Sequence, residues 1–166
     1  MADKKFTLNT YSPSDVILTI GGYQITGWES ITIARRVDGF VPVFGIRGKH
    51  TRIPTNDTSS FITLPILQTS QSNEVLSTIH GLDLIEGTGR LAILLKDNSG
   101  ASVFSSNEAY IVGYPETVFS GTFEYRAWSI LCQTTDTFIV GGNSRPSTSV
   151  FDGVFNAASN FVSGLL

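Results

Sequence analysis

At 166 residues, with 41% apolar and only 15% charged side chains, the chain suits one domain with a modest core, since two domains of half that size would each be marginal. Its formal net charge of −3 argues against a domain that grips nucleic acid by neutralising phosphates, so any contact with DNA is expected to be passive. No apolar run follows Met1-Ala2-Asp3-Lys4-Lys5-Phe6 to make a secretory leader, and no stretch reaches the roughly 18 apolar residues of a membrane span; the lone Cys132 fits assembly in a reducing cytoplasm.

Val16 to Ile20 and Tyr23 to Thr26 flank Gly21-Gly22, and two glycines that tolerate positive φ between strand-like runs predict a hairpin. Ile31 to Arg36 is the third predicted strand, with Ile31 and Ile33 on one face. Val37 to Asp57 carries Gly39, Pro42, Gly45, Gly48 and Pro54, which predict that regular structure does not persist through it. The same stretch holds Phe40, Val41, Val43, Phe44 and Ile46, too apolar for plain disorder, and this favours docking on a neighbouring subunit over folding back on its own domain. Ser60 to Leu67 follows as a strand with Ile62, Leu64 and Ile66 on one face, and Pro65 places it at an edge or a bulge. Ser70 or Ser72 can cap the next helix, Glu74 suits its dipole, Val75, Leu76 and Ile79 form a short apolar stripe, and Gly81 ends it.

Arg90 to Lys96, Ser102 to Ser105 beyond an Asp97-Asn98-Ser99-Gly100 turn, Glu108 to Val112, and a long Thr122 to Gln133 complete the predicted strands. In the last of these Phe123, Tyr125 and Leu131 alternate with Trp128, Ile130 and Cys132, so both faces are at least partly covered. The sum is a mainly β domain, a sandwich or barrel of about seven strands with one short α-helix over residues 1–142. Few Lys or Pro residues guard the strand edges, so neighbouring subunits are expected to cover them. Residues 143–166 form a C-terminal extension: a polar linker, then Val150, Phe151, Val154, Phe155, Ala158, Phe161, Val162 and Leu165 at helical spacing. Gly153 and Gly164 weaken that helix, which would need a surface to lie on; the alternative is a frayed apolar tail.

Catalytic chemistry is not indicated. The chain offers His50, His80 and one cysteine, and no serine in a nucleophile-elbow pattern. His50 lies among Arg47, Lys49 and Arg52, where a solvated basic patch is the simpler reading, and His80 reads as a cation at a helix end. Gly87-Thr88-Gly89-Arg90-Leu91-Ala92 matches a loose dinucleotide fingerprint, but a strand comes after it where a helix is required. No Cys or His spacing suits zinc, Asp83 and Glu86 are too isolated for calcium, and no cofactor is expected. Arg35, Arg36, Arg47, Lys49 and Arg52 are the main basic concentration, and in an acidic chain subunit salt bridges are favoured over DNA contact.

Several segments together resemble one known family. They are Ser14-Asp15-Val16, Gly21-Gly22 with Gly27, Arg35-Arg36 before Asp38, and above all Gln68-Thr69-Ser70 with Ser72-Asn73-Glu74-Val75-Leu76; Glu108-Ala109-Tyr110-Ile111 and Glu124-Tyr125-Arg126-Ala127-Trp128 fit its later strands. Over roughly residues 11–133 the chain resembles the tail tube proteins of contractile-tailed, myovirus-type bacteriophages. The resemblance implies a β-sandwich with a flanking helix, joined into hexameric rings that stack into a virion tail tube inside a contractile sheath. It also implies a baseplate tube initiator, a tail terminator and a tape measure protein as further partners, with DNA passing through the lumen without specific binding. In that arrangement residues 37–57, with Phe40, Val43, Phe44, Ile46, Arg47, Lys49, His50 and Arg52, and the arm Met1 to Tyr11 would bridge successive rings. Phe151, Val154, Phe155, Phe161 and Val162 would contact the sheath or an adjacent subunit. Two rivals stay open: the ring protein of a bacterial contractile injection or secretion system, and a monomeric β-sandwich binding module with an exposed aromatic patch.

Overall fold

The computed structural model describes residues 9–142, 145–146 and 163–164. Its strands are β1 (Asn9–Thr10), β2 (Val16–Ile20), β3 (Tyr23–Gln24), β4 (Thr32–Arg35), β5 (Phe40–Phe44), β6 (His50–Pro54), β7 (Ser60–Leu67), β8 (Leu91–Asp97), β9 (Val103–Gly113), β10 (Tyr125–Thr134), β11 (Thr137–Ile139) and β12 (Arg145–Pro146). A helix, α1 (Ser72–Glu86), lies between β7 and β8. The main sheet runs β3-β2-β8-β9-β10-β7-β4 with β11 also on β9, and every pairing in it is antiparallel. The expectation of a mainly β fold with a helix is met.

The sheet curls until its two ends share one stretch of chain. Ile25 donates its N–H to Leu18 O of β2, while Gly27 O accepts from Leu67 of β7 and Glu29 donates to Pro65 O, all at 2.8–2.9 Å. Residues 23–29 thus bond to both ends of the strand order, and the sheet closes there as a barrel. Gly27 turns the corner at φ 73, and a Cβ there would lie 2.8 Å from Ser70 Cβ. Toward β4 the barrel splays open, leaving a cleft of about 410 Å³ between Trp28, Ile31 and Ile33 on one side and Val16 and Leu95 on the other.

Alternation builds the interior. In β7, Ser60, Ile62, Leu64 and Ile66 are buried and the residues between them half-buried. Leu18, Ile20, Ile93, Phe104, Trp128, Ile130 and Cys132 meet them from the other strands, and Leu76 enters from α1. Each such side chain contributes roughly 1.5–3 kcal/mol by leaving water. Pro65 sits where the register to the neighbouring segment slips by one residue, between Trp28↔Ile66 and Thr32↔Thr63, as a missing donor requires.

Several boundaries differ from expectation. Residues 37–57 are regular after all: β5 and β6 pair along their full length as a separate two-stranded sheet. Gly45 donates to Lys49 O and Thr55 to Gly39 O, so by strand alternation Pro42 and Pro54 fall at positions whose N–H would point outward, and neither proline interrupts the ladder. Helix α1 runs through Gly81 and ends at Gly87, which adopts φ 68 and donates to Asp83 O; Gly81 has no positive φ and so cannot stop it. His80 is therefore no terminal cation but a buried mid-helix residue, edge-on to Tyr114 at 4.7 Å. The two predicted strands around Ser106 are one, β9, which accommodates its irregular register to β8 by a bulge. The last long strand starts at Tyr125, three residues later than expected. Within the expected polar linker, Thr10↔Arg145 and Asn9↔Pro146 pair β1 with β12.

Candidate assembly interface

The β5–β6 hairpin is the clearest candidate site, and it holds the eight residues of the 37–57 stretch expected to stack rings. Gly45-Ile46-Arg47-Gly48-Lys49 closes it: Gly48 donates back to Gly45 O and adopts φ 79, the three-residue loop with a left-handed glycine that matches strand twist. All ten residues of its strands are exposed. Phe44 and His50 stack across the ladder at 4.6 Å, and the Arg52 guanidinium lies 4.7 Å over the Phe40 ring. Val41, Val43 and Ile53 add apolar area, and Ile46 stands fully in solvent at the tip beside Arg47. The arm is thus internally braced, apolar and basic, yet it is unpaired with the main sheet.

At its base the expected basic patch divides. Arg35 donates to Asp57 O at 2.9 Å and the Arg36 N–H to Ser59 O at 3.1 Å. Hydrogen bonds from Ser59, reinforced by attraction to Arg36 and Arg35, hold the Asp57 carboxyl below its usual value. Arg35 and Arg52 are therefore engaged within the chain, whereas Arg47 and Lys49 project from the exposed turn.

The strand-helix motif has a different role. Gln68 and Thr69 form the exposed turn; Ser70 Oγ donates to Thr26 O and accepts the Ser72 N–H, while Ser72 Oγ accepts the Thr26 N–H. Neither serine is the N-cap, which is Gln71 without a side-chain hydrogen bond: Ser70 accepts the first helical N–H from one residue earlier, and Ser72 holds the Gly27 corner. Asn73 donates to Leu67 O and Ser70 O and accepts the Trp128 indole N–H. Leu76 is buried, Val75 half-buried, and Glu74 exposed in the first turn. Ser70, Ser72, Asn73 and Leu76 join the helix to the barrel, while Gln68, Thr69 and Glu74 remain exposed. Phe151, Val154, Phe155, Phe161 and Val162, with most of the N-terminal arm, lie outside the described residues.

Sequence reasoning missed further exposed apolar surface. Leu82, Leu84 and Ile85 are exposed on the last turns of α1, and Val118 and Phe119 on the loop before β10. Its signal was the run Leu82-Asp83-Leu84-Ile85 continuing past Gly81. Gly87 to Gly89 is a turn in which Gly89 donates to Asp83 Oδ1, with no helix after it to hold a phosphate. Among the described residues no cluster of His, Cys, Asp or Glu could hold a metal, and no helix is long and apolar enough to cross a membrane.

No family model matches the chain. It is 33% identical over 155 residues to structural protein ORF10 of Pseudomonas phage KPP10, across 87% of the chain and 89% of that protein. The chain belongs to the family of this phage structural protein. It is a structural phage protein and not an enzyme. Among solved structures, a chain from the virion of a native gene transfer agent particle shares the fold at a TM-score of 0.55 and 9% identity, over 84% of this chain and 100% of that one.

Proposed function

We propose that the chain is the tail tube protein of a contractile-tailed phage. Copies would join into six-fold rings, and the β5–β6 hairpin and the N-terminal arm would lock each ring to the next. The tube would lie within the sheath, start on a baseplate initiator, enclose the tape measure protein and end at a terminator. The observation that carries this reading is the hairpin: a braced apolar arm, exposed along both strands, in a member of a phage structural protein family. Head-to-tail contacts of one surface with a different surface generate rings and filaments, and an arm distinct from the body supplies such asymmetry. A net charge of −3 would let DNA slide through the lumen without adhering. The free edge of β4 and the exposed residues of β11 are the places where adjacent subunits of a ring would meet. Residues 143–166 would face the sheath or an adjacent subunit.

Location in the particle tests this. Antibody fragments against the chain, added to particles of the phage that encodes it, should decorate the tubes that protrude from contracted tails and leave extended tail shafts bare. Labelling of the capsid, or of the outside of extended tails, would contradict it.

A further inference from the structure

A pocket of about 170 Å³ lies between the second half of α1 and the sheet, floored by Ile79, Leu91 and Ile111 and rimmed by Leu82, Asp83 and Glu86. Its wall includes His80, only 5% exposed, whose Nδ1 has no hydrogen-bond partner among the described residues. An engineered apolar cavity of about 150 Å³ holds benzene, so this one has room for a four-carbon side chain.

The hairpin tip carries the matching chemistry: a fully exposed Ile46, with Arg47 next to it and Lys49 just past Gly48. Apolar knob and apolar hole are thus bordered by opposite charges, basic on the arm and acidic on the rim. We propose that the β5–β6 tip of one copy docks in the α1 pocket of a second copy, Ile46 filling the hole and Arg47 and Lys49 facing Asp83 and Glu86. This deepens the tube reading and rests on it, because it names the surface that receives the arm. The contact joins two different patches, so it is passed from copy to copy and builds a continuing stack wherever its rotation does not close.

The test is a cross-link between singly substituted copies. Ile46→Cys and Leu82→Cys both alter exposed side chains, and the native Cys132 does not compete, being buried with its thiol pushed up to about 11. Mixed in equal amounts, assembled and oxidised, the two variants should give a disulfide-linked dimer that neither gives alone. Glu86→Cys, on the same rim, serves as a second acceptor should Leu82→Cys fold poorly. In parallel, Arg47→Glu should raise the concentration needed for assembly by about tenfold, and adding Glu86→Arg should restore it, since coupled charges compensate when both are reversed. Tubes that form without the mixed cross-link, or a charge swap without recovery, would overturn the docking and leave the tube reading intact. Failure of the unsubstituted chain to polymerise at all would overturn both.

Discussion

Asn73 bonds to Leu67 O at 2.8 Å, to Ser70 O at 3.2 Å and to the Trp128 indole at 3.0 Å, so one amide ties the end of β7, the start of α1 and the centre of β10. Asn73→Ala would leave the indole N–H, on a residue that is 1% exposed, without a partner. The expected loss is about 2–3 kcal/mol of stability, read from urea unfolding of the unassembled chain; a loss below about 0.5 kcal/mol would show the joint to be dispensable. Gly27→Ala should also destabilise, because positive φ and the nearby Ser70 Cβ both oppose a methyl group. At this scale the sequence shows which residues matter in the Gln68 to Leu76 run but not what they do. Asn73 reads locally as an ordinary first-turn residue, since its partner Trp128 is 55 positions away.

Among the elements, the hairpin is separable from the barrel. Thr55 and Gly39 are bonded at its base, so replacing residues 40–54 by a two-residue Asn-Gly turn leaves the flanking strands β4 and β7 their own pairings. Such a variant should keep its urea midpoint and lose polymerisation in sedimentation velocity; polymers of unchanged length would refute the assignment of the arm. The regularity of residues 37–57 escapes a count of glycines and prolines because a proline breaks a ladder only at one parity. Pro42 and Pro54 lie on alternate positions about the Gly45 to Lys49 turn, and the alternation of Val41, Val43 and Ile53 with Pro42 and Arg52 is the signal that the sequence holds. The strands β2, β7 and β8, whose apolar residues alternate or run unbroken, are legible within a residue or two. The last turns of α1 are not, because a glycine stops a helix only when its φ is positive, and that is decided by the residues beyond it.

For the whole molecule, closure of the sheet through residues 23–29 removes most strand edges, which composition and periodicity alone do not reveal because the two ends meet only in three dimensions. Exposed apolar side chains lie in several places: the hairpin, the exposed end of α1, the Phe119 loop, β11 with Val140, and Leu94, Tyr110, Val112 and Tyr125 along β8, β9 and β10. Apolar surface in several places around one small body would suit several neighbours, as in the proposed lattice of identical copies, whereas a binding module would show one patch. The docking of arm into pocket would make polymerisation weaken as salt rises, since its flanking charges are exposed. The most direct measurement is negative-stain electron microscopy of the concentrated chain, alone and with tail baseplates as nuclei. Hollow tubes of stacked six-fold rings are the predicted result; particles that stay single at every concentration, even with nuclei present, would contradict the account.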